Sequence, residues 1–435
     1  MTQSKLIRSK RFAPLFWTQF LGAFNDNVFR FALIIYVTFT LAERTGMDTR
    51  TLVVLTGGVF ILPFFLFSAL AGQMADKYEK SGLIRHIKSI EIAVMGLGAV
   101  GFIVDSYELL LGVLFAMGLQ STFFGPLKYG VLPQHLDDEE LTGGNGLIQM
   151  GTYIAILGGS VIGGLLAGLG ENAPVAIITS IVGIAAAGRC AAQFIPPAPA
   201  NAPEISIDRN PLTSTWALMR DSLVERQFLV LIGLISTFWF VGATFLSIVP
   251  TFGKELLNAN EQAVTLLTAA FTIGIGVGSL SCERLSGRRI ELGLVPIAGV
   301  VISLAAVDVW WVGTPAAPAE PLTPASFFGY APAARFFLDL VVIGAAGALY
   351  IVPLYAALQA RVETAVCSRM LAALNVANAL FMVTSAVFTI ALFALGFSLT
   401  EVFGVVAALN LMALVAGAWA LPELGRRTVA LLRVS

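Results

Sequence analysis

The feature that most constrains the fold of this chain is a series of twelve long apolar stretches. A helix needs about 20 apolar residues to cross a bilayer, and lipid offers its backbone no hydrogen-bond partners, so each stretch is predicted to be an α-helix. The stretches lie at about 13–41, 52–75, 87–104, 107–132, 142–169, 173–195, 227–253, 263–282, 291–312, 333–358, 365–395 and 398–421. The sequence therefore predicts an all-α integral membrane protein.

Composition supports this prediction. Of 435 residues, 57% are hydrophobic and 12% are charged, whereas soluble chains carry about 25% charged residues. The net charge of −1 excludes a strongly basic nucleic-acid binder and an acidic disordered protein. We therefore expect membrane lipid to surround the chain, and we expect no nucleic-acid partner.

Residues that commonly carry catalysis or bind metals are scarce and scattered. The three cysteines, Cys190, Cys282 and Cys367, show no CxxC spacing, and the two histidines, His86 and His135, form no zinc motif. We therefore expect neither an enzyme nor a metal or cofactor site.

The positions of lysine and arginine predict the orientation in the membrane. With the predicted spans, 21 of the 26 basic residues fall on one side, four (Arg44, Arg50, Lys254 and Arg335) on the other, and Arg30 inside a span. Positive residues concentrate on the cytoplasmic side. Both termini and the linker are therefore predicted to be cytoplasmic. We also expect the chain to act as a monomer.

The two halves of the chain repeat each other. The predicted domains are six spans at 1–195, a Pro-rich linker at 196–226 and six more spans at 227–435. An acid followed by basic residues ends the second span of each half, at Asp76 and at Glu283 with Arg288. Parallel six-helix repeats of this kind are typical of major facilitator transporters.

The loop after the second span strengthens this comparison. Its pattern Gly72-x3-Asp76-Lys77-x4-Gly82-x2-Arg85 resembles the signature loop of the major facilitator superfamily. The resemblance implies a twelve-helix fold of two six-helix bundles related by pseudo-two-fold symmetry. An Asp at a helix end can pair with basic residues of a facing helix, so Gly72, Asp76, Arg85, Glu283 and Arg288 are candidates for loops that lock one conformation.

Four further segments resemble the bacterial lysophospholipid transporters within that superfamily. They are Gln19 to Asn27, Gly125 to Gly130, Gly144 to Leu147, and Val352 to Gln359. The similarity is especially close to the transporter module that some bacteria fuse to an acyltransferase and an acyl-carrier-protein synthetase. Those enzyme modules are absent, so the chain is interpreted as a stand-alone transporter or an excised module.

This resemblance implies a substrate and a direction. Such proteins move lysophospholipids, chiefly 2-acyl-glycerophosphoethanolamine and its glycerol relative, to the cytoplasmic leaflet of the bacterial inner membrane, where they are reacylated. A cytoplasmic acyltransferase or acyl-carrier-protein synthetase is then a candidate partner. One departure is the seventh span, which reads Phe238 to Leu246 without the basic residue expected in some members.

Charged and amide residues in the first span are the leading candidates for substrate binding or gating. Asp26 and Arg30 lie one helical turn apart near its middle, flanked by Asn25 and Asn27. A charge at this depth costs several kcal/mol, so it should face a cavity or a partner. Asp26 is suited to the amine of a zwitterionic headgroup and Arg30 to its phosphate; the alternative is a self-satisfied ion pair that fixes the packing of the span.

Other polar residues inside spans are weaker candidates. Lys128, near the end of span four, is a gating or phosphate-contacting residue or else a lysine that snorkels to the interface. Asn145, Gln149 and Tyr153 recur every four residues along span five, which is typical of a cavity lining or of helix–helix hydrogen bonding. Glu91, three residues after Lys88, is interpreted as an interfacial ion-pair partner or a cavity residue.

Two other functions remain open from the sequence. One is export of amphipathic drugs or small metabolites. The other is a non-transporting membrane scaffold for an acyltransferase, to which the acidic run 137–140 is suited if it is more than a solvated loop.

Overall fold

The computed structural model describes residues 3–36, 49–222, 224–315 and 318–434. The secondary structure of these residues is helical, apart from an isolated β-bridge between Ala259 and Leu322. Residues 37–41 of the predicted first span, and Arg44, lie outside the described residues. The prediction of an all-α chain is confirmed.

Twelve long helices follow one another along the described chain. They are α1 (Ala13–Tyr36), α2 (Thr49–Lys77), α3 (Lys80–Ile103), α4 (Tyr107–His135), α5 (Asp138–Ala167), α6 (Ala173–Gln193), α7 (Arg226–Glu255), α8 (Glu261–Leu285), α9 (Leu294–Val312), α10 (Ala331–Arg361), α11 (Cys367–Ala394) and α12 (Leu399–Ala420). Eleven of them, α2 to α12, are long and apolar enough to cross a membrane. The other, α1, has 24 residues and carries the polar cluster around Asp26.

Helix α3 begins seven residues earlier than the apolar pattern predicts, at Lys80 rather than at 87. The cause is a cap: the Glu79 carboxylate accepts hydrogen bonds from the backbone N–H groups of Ser81 (3.1 Å) and Gly82 (2.6 Å). The first N–H groups of a helix have no partner within the helix, and a side-chain acceptor supplies one. The polar first turns of α3 are therefore helical although they are not apolar.

Three shorter α-helices of the described chain lie outside the apolar stretches, the first over Gln3–Leu6. The linker, predicted to be polar and broken by prolines, contains a helix over Pro211–Ser222. Proline suits its first position, because that residue has no helical hydrogen bond to lose. The predicted tail contains a helix over Glu423–Val434, held in part by a hydrogen bond from Thr428 Oγ1 to the Gly293 carbonyl (3.1 Å).

Contacts group the chain into two compact units. Unit 1 comprises Met1–Asp137, Gly151–Ser222 and Arg361–Val376, and unit 2 comprises Asp138–Met150, Leu223–Ala360 and Ala377–Ser435. Buried side chains of α1, α3, α4 and α6 form a core in unit 1, including Phe29, Met95 and Leu114. In unit 2, Phe252 of α7 stacks on Phe336 of α10 with ring centroids 3.9 Å apart. The predicted division at 195 and 227 follows chain order, and it stays a prediction.

Candidate functional site

The polar residues of α1 lie within unit 1 and reach different neighbours. Asp26 accepts a hydrogen bond from Ser121 Oγ of α4 through Oδ2 (2.8 Å), while its Oδ1 is buried and has no hydrogen-bond partner among the described residues. The Arg30 guanidinium lies 5.9 Å from the centre of the Phe60 ring, and its Nε is also buried, with no hydrogen-bond partner in the described part of the chain. The two side chains thus contact different groups, although they lie close enough to interact electrostatically.

A second pair of charges lies on α3, where the sequence indicated either an interfacial ion pair or a cavity role for Glu91. Lys88 Nζ and Glu91 Oε2 are 2.6 Å apart, and the side chains are 1% and 2% exposed. Glu91 also accepts hydrogen bonds from Gln120 of α4 (3.0 Å) and from Asn25 of α1 (3.5 Å). The spacing of Lys88 and Glu91 predicted their ion pair; its burial among three helices could not be read from spacing.

Glycine at position 22 makes room for this pair. A Cβ atom at Gly22 of α1 would lie 2.3 Å from Lys88 Nζ. The ammonium group also lies 4.8 Å from the centre of the Phe124 ring, within the range of a cation–π contact. Lys88 therefore points between α1 and α4 rather than toward the membrane surface.

Lys128 adds a third cation to the same region of unit 1. Its Nζ lies 4.8 Å from the centre of the Tyr129 ring. Lys128 is close enough to Lys88 and Asp26 to interact with both electrostatically. Arg30, Lys88 and Lys128 thus outnumber the carboxylates Asp26 and Glu91, so the group as a whole attracts an anion.

The remaining candidates are placed as follows. Asn27 donates to the Ala23 carbonyl of its own helix (2.8 Å). Along α5, Asn145, Gln149 and Tyr153 are all buried. Asn145 Nδ2 donates to Gln359 Oε1 of α10 (2.6 Å), within unit 2, so the structure joins two of the segments that carry the family resemblance.

The loop after α2 is organised around Asp76, whose side chain is fully buried. Its carboxylate accepts hydrogen bonds from the backbone N–H groups of Ser368 (3.0 Å) and Arg369 (3.1 Å), at the start of α11. Arg369 Nε donates to the same group over 3.2 Å. We call this set of contacts the Asp76 cap. It combines an ion pair with a carboxylate at a helix N-terminus, where negative charge is stabilised.

Gly72 allows α2 and α11 to approach closely enough for the Asp76 cap. A Cβ atom at Gly72 would lie 2.7 Å from the Ala372 Cβ and 2.9 Å from the Arg369 Cα. These distances are shorter than ordinary contacts, so a larger residue would separate the two helices. Gly72 and Asp76 are one helical turn apart, and both therefore contact the start of α11.

The other residues of the candidate locking loops pair locally. Arg85 lies 3.7 Å from Glu79 and does not join the Asp76 cap in the described structure. In unit 2, Arg288 lies 3.4 Å from Glu283, in a turn where Gly287 and Arg288 have φ values of 60° and 59°. Glycine adopts this left-handed conformation without strain, and the Arg288 N–H donates to the Glu283 carbonyl (3.0 Å).

The linker segment 197–208, which we call the strap, lies against the ends of α2, α3 and α4. Burial raises the pKa of Glu79, but hydrogen bonds from Ser81, Gly82 and the Ala198 N–H outweigh it, so the pKa lies below its usual range. The Ala198 bond measures 2.8 Å. Glu79 therefore caps α3 and holds the strap at the same time.

Neither unit shows a metal-binding arrangement within the residues that the structure describes, where no group of three or more His, Cys, Asp or Glu side chains could hold an ion. What unit 1 offers instead is a set of buried charges with open hydrogen-bonding positions. Such a set can bind a polar group that carries both charges.

Known proteins resemble this chain in both sequence and structure. The lysophospholipid transporter LplT of Serratia proteamaculans (strain 568) is 28% identical over 371 residues, covering 84% of this chain and 83% of the relative. LplT of Enterobacter sp. (strain 638) is 29% identical over 350 residues, covering 79% and 78%.

Two solved structures share the fold at low sequence identity. The human organic anion transporter MFSD10 (TETRAN) superposes with a TM-score of 0.68 at 16% identity, covering 93% of this chain and 99% of the other. The proton:xylose symporter XylE superposes with a TM-score of 0.69 at 12% identity, covering 96% of each chain. These likenesses confirm the predicted major facilitator fold.

The sequence also matches the model of a known protein family. The match to the Major Facilitator Superfamily runs over residues 15–334, which is most of the chain. Together with the helical architecture and the structural likenesses, it settles the superfamily that the loop motif suggested. This chain belongs to the Major Facilitator Superfamily.

Proposed function

We propose that this protein transports lysophospholipids across the bacterial inner membrane by alternating access. The substrate class comes from relatives named lysophospholipid transporter, which align with most of the chain. The chemistry of unit 1 supports that class independently, as follows.

The observation that carries the proposal is a pair of open hydrogen-bonding positions on α1. Among the residues that the structure describes, Asp26 Oδ1 and Arg30 Nε are both buried and have no hydrogen-bond partner. A buried polar atom left unsatisfied costs about 1–3 kcal/mol. A zwitterionic headgroup satisfies both at once, because its amine donates to Asp26 and its phosphate accepts from Arg30.

The charge balance of the same region favours a phosphate. Glu91 neutralises Lys88 through their direct contact, and Asp26 offsets only one of the two remaining cations, Arg30 and Lys128. This excess suits 2-acyl-glycerophosphoethanolamine, and it also suits the glycerol relative, which has a phosphate but no amine. The ethanolamine substrate binds to both Asp26 and Arg30, whereas the glycerol substrate binds to the cations alone.

The locking loops supply the conformational part of the mechanism. The Asp76 cap fixes the first turn of α11 against α2, and substrate passage requires these contacts to form and break. Glu283 and Arg288 occupy the equivalent loop of the second repeat and have the corresponding role. The buried residues Asn145, Gln149 and Tyr153 of α5 are further candidates for substrate binding or gating.

The proposal also covers the orientation of the protein in the membrane and the fate of the transported lysolipid. Both termini and the linker lie in the cytoplasm, as the distribution of lysine and arginine predicts, and we propose that the protein acts as a monomer. Lysolipid delivered to the cytoplasmic leaflet is reacylated there by an acyltransferase or acyl-carrier-protein synthetase. The acidic run is a weak candidate for contacting that partner, because Asp138, Glu139 and Glu140 form the first turn of α5.

The test is uptake by the purified protein in liposomes, with a panel of lysolipid headgroups, with and without a sodium or proton gradient. We expect Asp26→Asn to lower uptake of the ethanolamine substrate about tenfold or more, since a hydrogen bond to a charged group contributes about 1.5–3 kcal/mol. Uptake of the glycerol substrate should fall less. The matched control is Asp221→Asn, which removes an equally sized carboxylate from an exposed ion pair.

Two outcomes would contradict the proposal. One is wild-type uptake of both substrates by Asp26→Asn when it is inserted and folded normally. The other is no movement of any lysolipid by the wild-type protein. Competition by amphipathic drugs without lysolipid movement would instead favour an exporter.

A further inference from the structure

The central linker makes more contacts than a tether between two halves requires. Lys77 Nζ donates to the Ile205 carbonyl (2.6 Å), and Gln134 donates to the Pro199 carbonyl (3.1 Å). Backbone hydrogen bonds join Lys80 to Ala198 and Ala202 to Asp76, both over 2.8 Å. The strap is therefore a docked part of unit 1, anchored to α2, α3 and α4.

The strap also covers the charged side chain of Lys80. Lys80 is fully buried, and its ammonium group donates to the Pro199 carbonyl over 3.2 Å. Asp76 and Glu79 attract this charge electrostatically, and the hydrogen bond to Pro199 links the same ammonium group to the strap. Glu79 and Lys80, adjacent in sequence, thus hold neighbouring residues of the same segment.

One strap residue reaches the Asp76 cap itself. Asn201 Nδ2 donates to Asp76 Oδ1 over 3.2 Å, the same oxygen that accepts from the Ser368 N–H. Asn201 is oriented by its other end, because its Oδ1 accepts a hydrogen bond from Gln134 Nε2 over 2.6 Å. The amide is thereby fixed with its N–H₂ group toward Asp76.

The donors to Asp76 divide into two groups. Ser368 and Arg369 belong to α11 and leave Asp76 when the start of α11 moves away. Asn201 belongs to the strap, whose anchors are on α2, α3 and α4, and it stays with Asp76. We propose that Asn201 is a positioning residue that keeps the Asp76 carboxylate oriented to recapture α11, which makes the linker a working part of the conformational lock. This inference rests on the locking role given to Asp76 in the proposed function.

The backbone amides of Ser368 and Arg369 provide a direct readout. The first N–H groups of a helix have no acceptor within the helix, so their protection from hydrogen exchange depends on Asp76. Exchange is measured by mass spectrometry or NMR on the full-length protein in lipid nanodiscs without lysolipid. Asp76→Asn serves as the reference for a weakened cap.

Two substitutions separate hydrogen bonding from packing. Asn201→Asp keeps the size of the side chain and its contact with Gln134, but replaces the donor with a second carboxylate beside Asp76. We expect exchange at Ser368 and Arg369 to rise more than about tenfold, because like charges repel. Asn201→Ala removes the donor without adding charge and should raise exchange about fivefold, as expected for one lost hydrogen bond.

The control is Glu204→Ala, three residues further along the strap at an exposed position, where exchange should stay at the wild-type rate. Wild-type exchange in Asn201→Ala and Asn201→Asp, together with faster exchange in Asp76→Asn, would overturn the inference. Where Asn201→Asp does not fold, Asn201→Ala decides. Since no substrate is present, failure of this test differs from failure of lysolipid uptake, which would instead overturn the proposed function.

Discussion

Asn145 of α5 and Gln359 of α10 exchange hydrogen bonds through their side-chain amides. Asn145 Nδ2 donates to Gln359 Oε1 over 2.6 Å, and Gln359 Nε2 donates back to Asn145 Oδ1 over 3.4 Å. The two residues are separated by 214 positions, and both are buried. Apolar surroundings strengthen such a pair and make its loss costly.

Breaking this amide pair should destabilise the protein in a coupled way. Asn145→Ala and Gln359→Ala each remove the hydrogen bonds of this pair from the other residue's buried amide, and we expect each to cost about 1–3 kcal/mol. The double variant should lose less than the sum of the two. A double-mutant cycle on the free energy of unfolding in detergent measures the coupling; additive single effects would show that the two amides act independently.

Breaking the buried ion pair between Lys88 and Glu91 should destabilise the protein more than breaking the amide pair. Lys88→Met or Glu91→Leu leaves one charge buried without its partner, and we expect each to cost about 3–5 kcal/mol. The double variant should be more stable than either single variant, because no charge remains. Thermal unfolding of purified variants gives the comparison.

An exposed ion pair provides the control for that experiment. Arg220 and Asp221 are 2.8 Å apart, but their side chains are 66% and 64% exposed. Arg220→Ala should therefore change stability by less than about 1 kcal/mol. An equally small effect for Lys88→Met would contradict the structural role assigned to the buried pair.

Gly72 should control how firmly α11 is held against α2. In Gly72→Ala the new methyl group collides with Ala372 and the Arg369 backbone, and such overpacking costs about 1–3 kcal/mol. The first residue of α11, Cys367, is buried. We expect its alkylation rate to rise about five- to 150-fold, measured by mass spectrometry.

The chain contains its own controls for this measurement. Cys282 is also buried but belongs to unit 2, so its alkylation should not change. Gly58, on the same helix as Gly72, has nothing within 4 Å of an added Cβ. Faster labelling of Cys367 in Gly58→Ala, or unchanged labelling in Gly72→Ala, would argue against the close approach of α2 and α11.

Glu79 should make docking of the strap sensitive to acid. Its pKa in the folded protein lies below the usual value, because its hydrogen bonds outweigh the opposing effect of burial. The stabilisation it provides is therefore complete above the usual glutamate pKa of about 4.3 and is lost as the pH falls below that value, through the folded-state pKa.

Limited proteolysis of the strap across that pH range tests this expectation. Wild-type protein should become more susceptible as the pH falls, using an acid-active protease normalised on a peptide substrate. Glu79→Gln should be more susceptible near neutral pH and should show a weaker dependence on pH. A pH profile in Glu79→Gln identical to that of the wild type would assign the acid sensitivity to another group.

The sequence by itself determined the transmembrane character of the chain, its helices and its superfamily. Apolar stretches of bilayer length require helices, and the loop around Gly72 and Asp76 carries a recognisable motif. Sequence also singled out Asp26 and Arg30, because charges within an apolar span are costly and therefore conspicuous. The start of α3 was misjudged, because its first turns are stabilised by the Glu79 cap rather than by apolar residues.

Only the tertiary structure decided which of these side chains meet. Asp26 and Arg30 are one turn apart on α1. Asp26 accepts a hydrogen bond from Ser121 and Arg30 lies over the ring of Phe60, both of which belong to other helices. Asp76 finds its partners at Ser368 and Arg369, nearly 300 positions away. Helix periodicity governs neighbours three or four residues apart, whereas contacts between helices depend on how their faces pack, which no local pattern of this single sequence encodes.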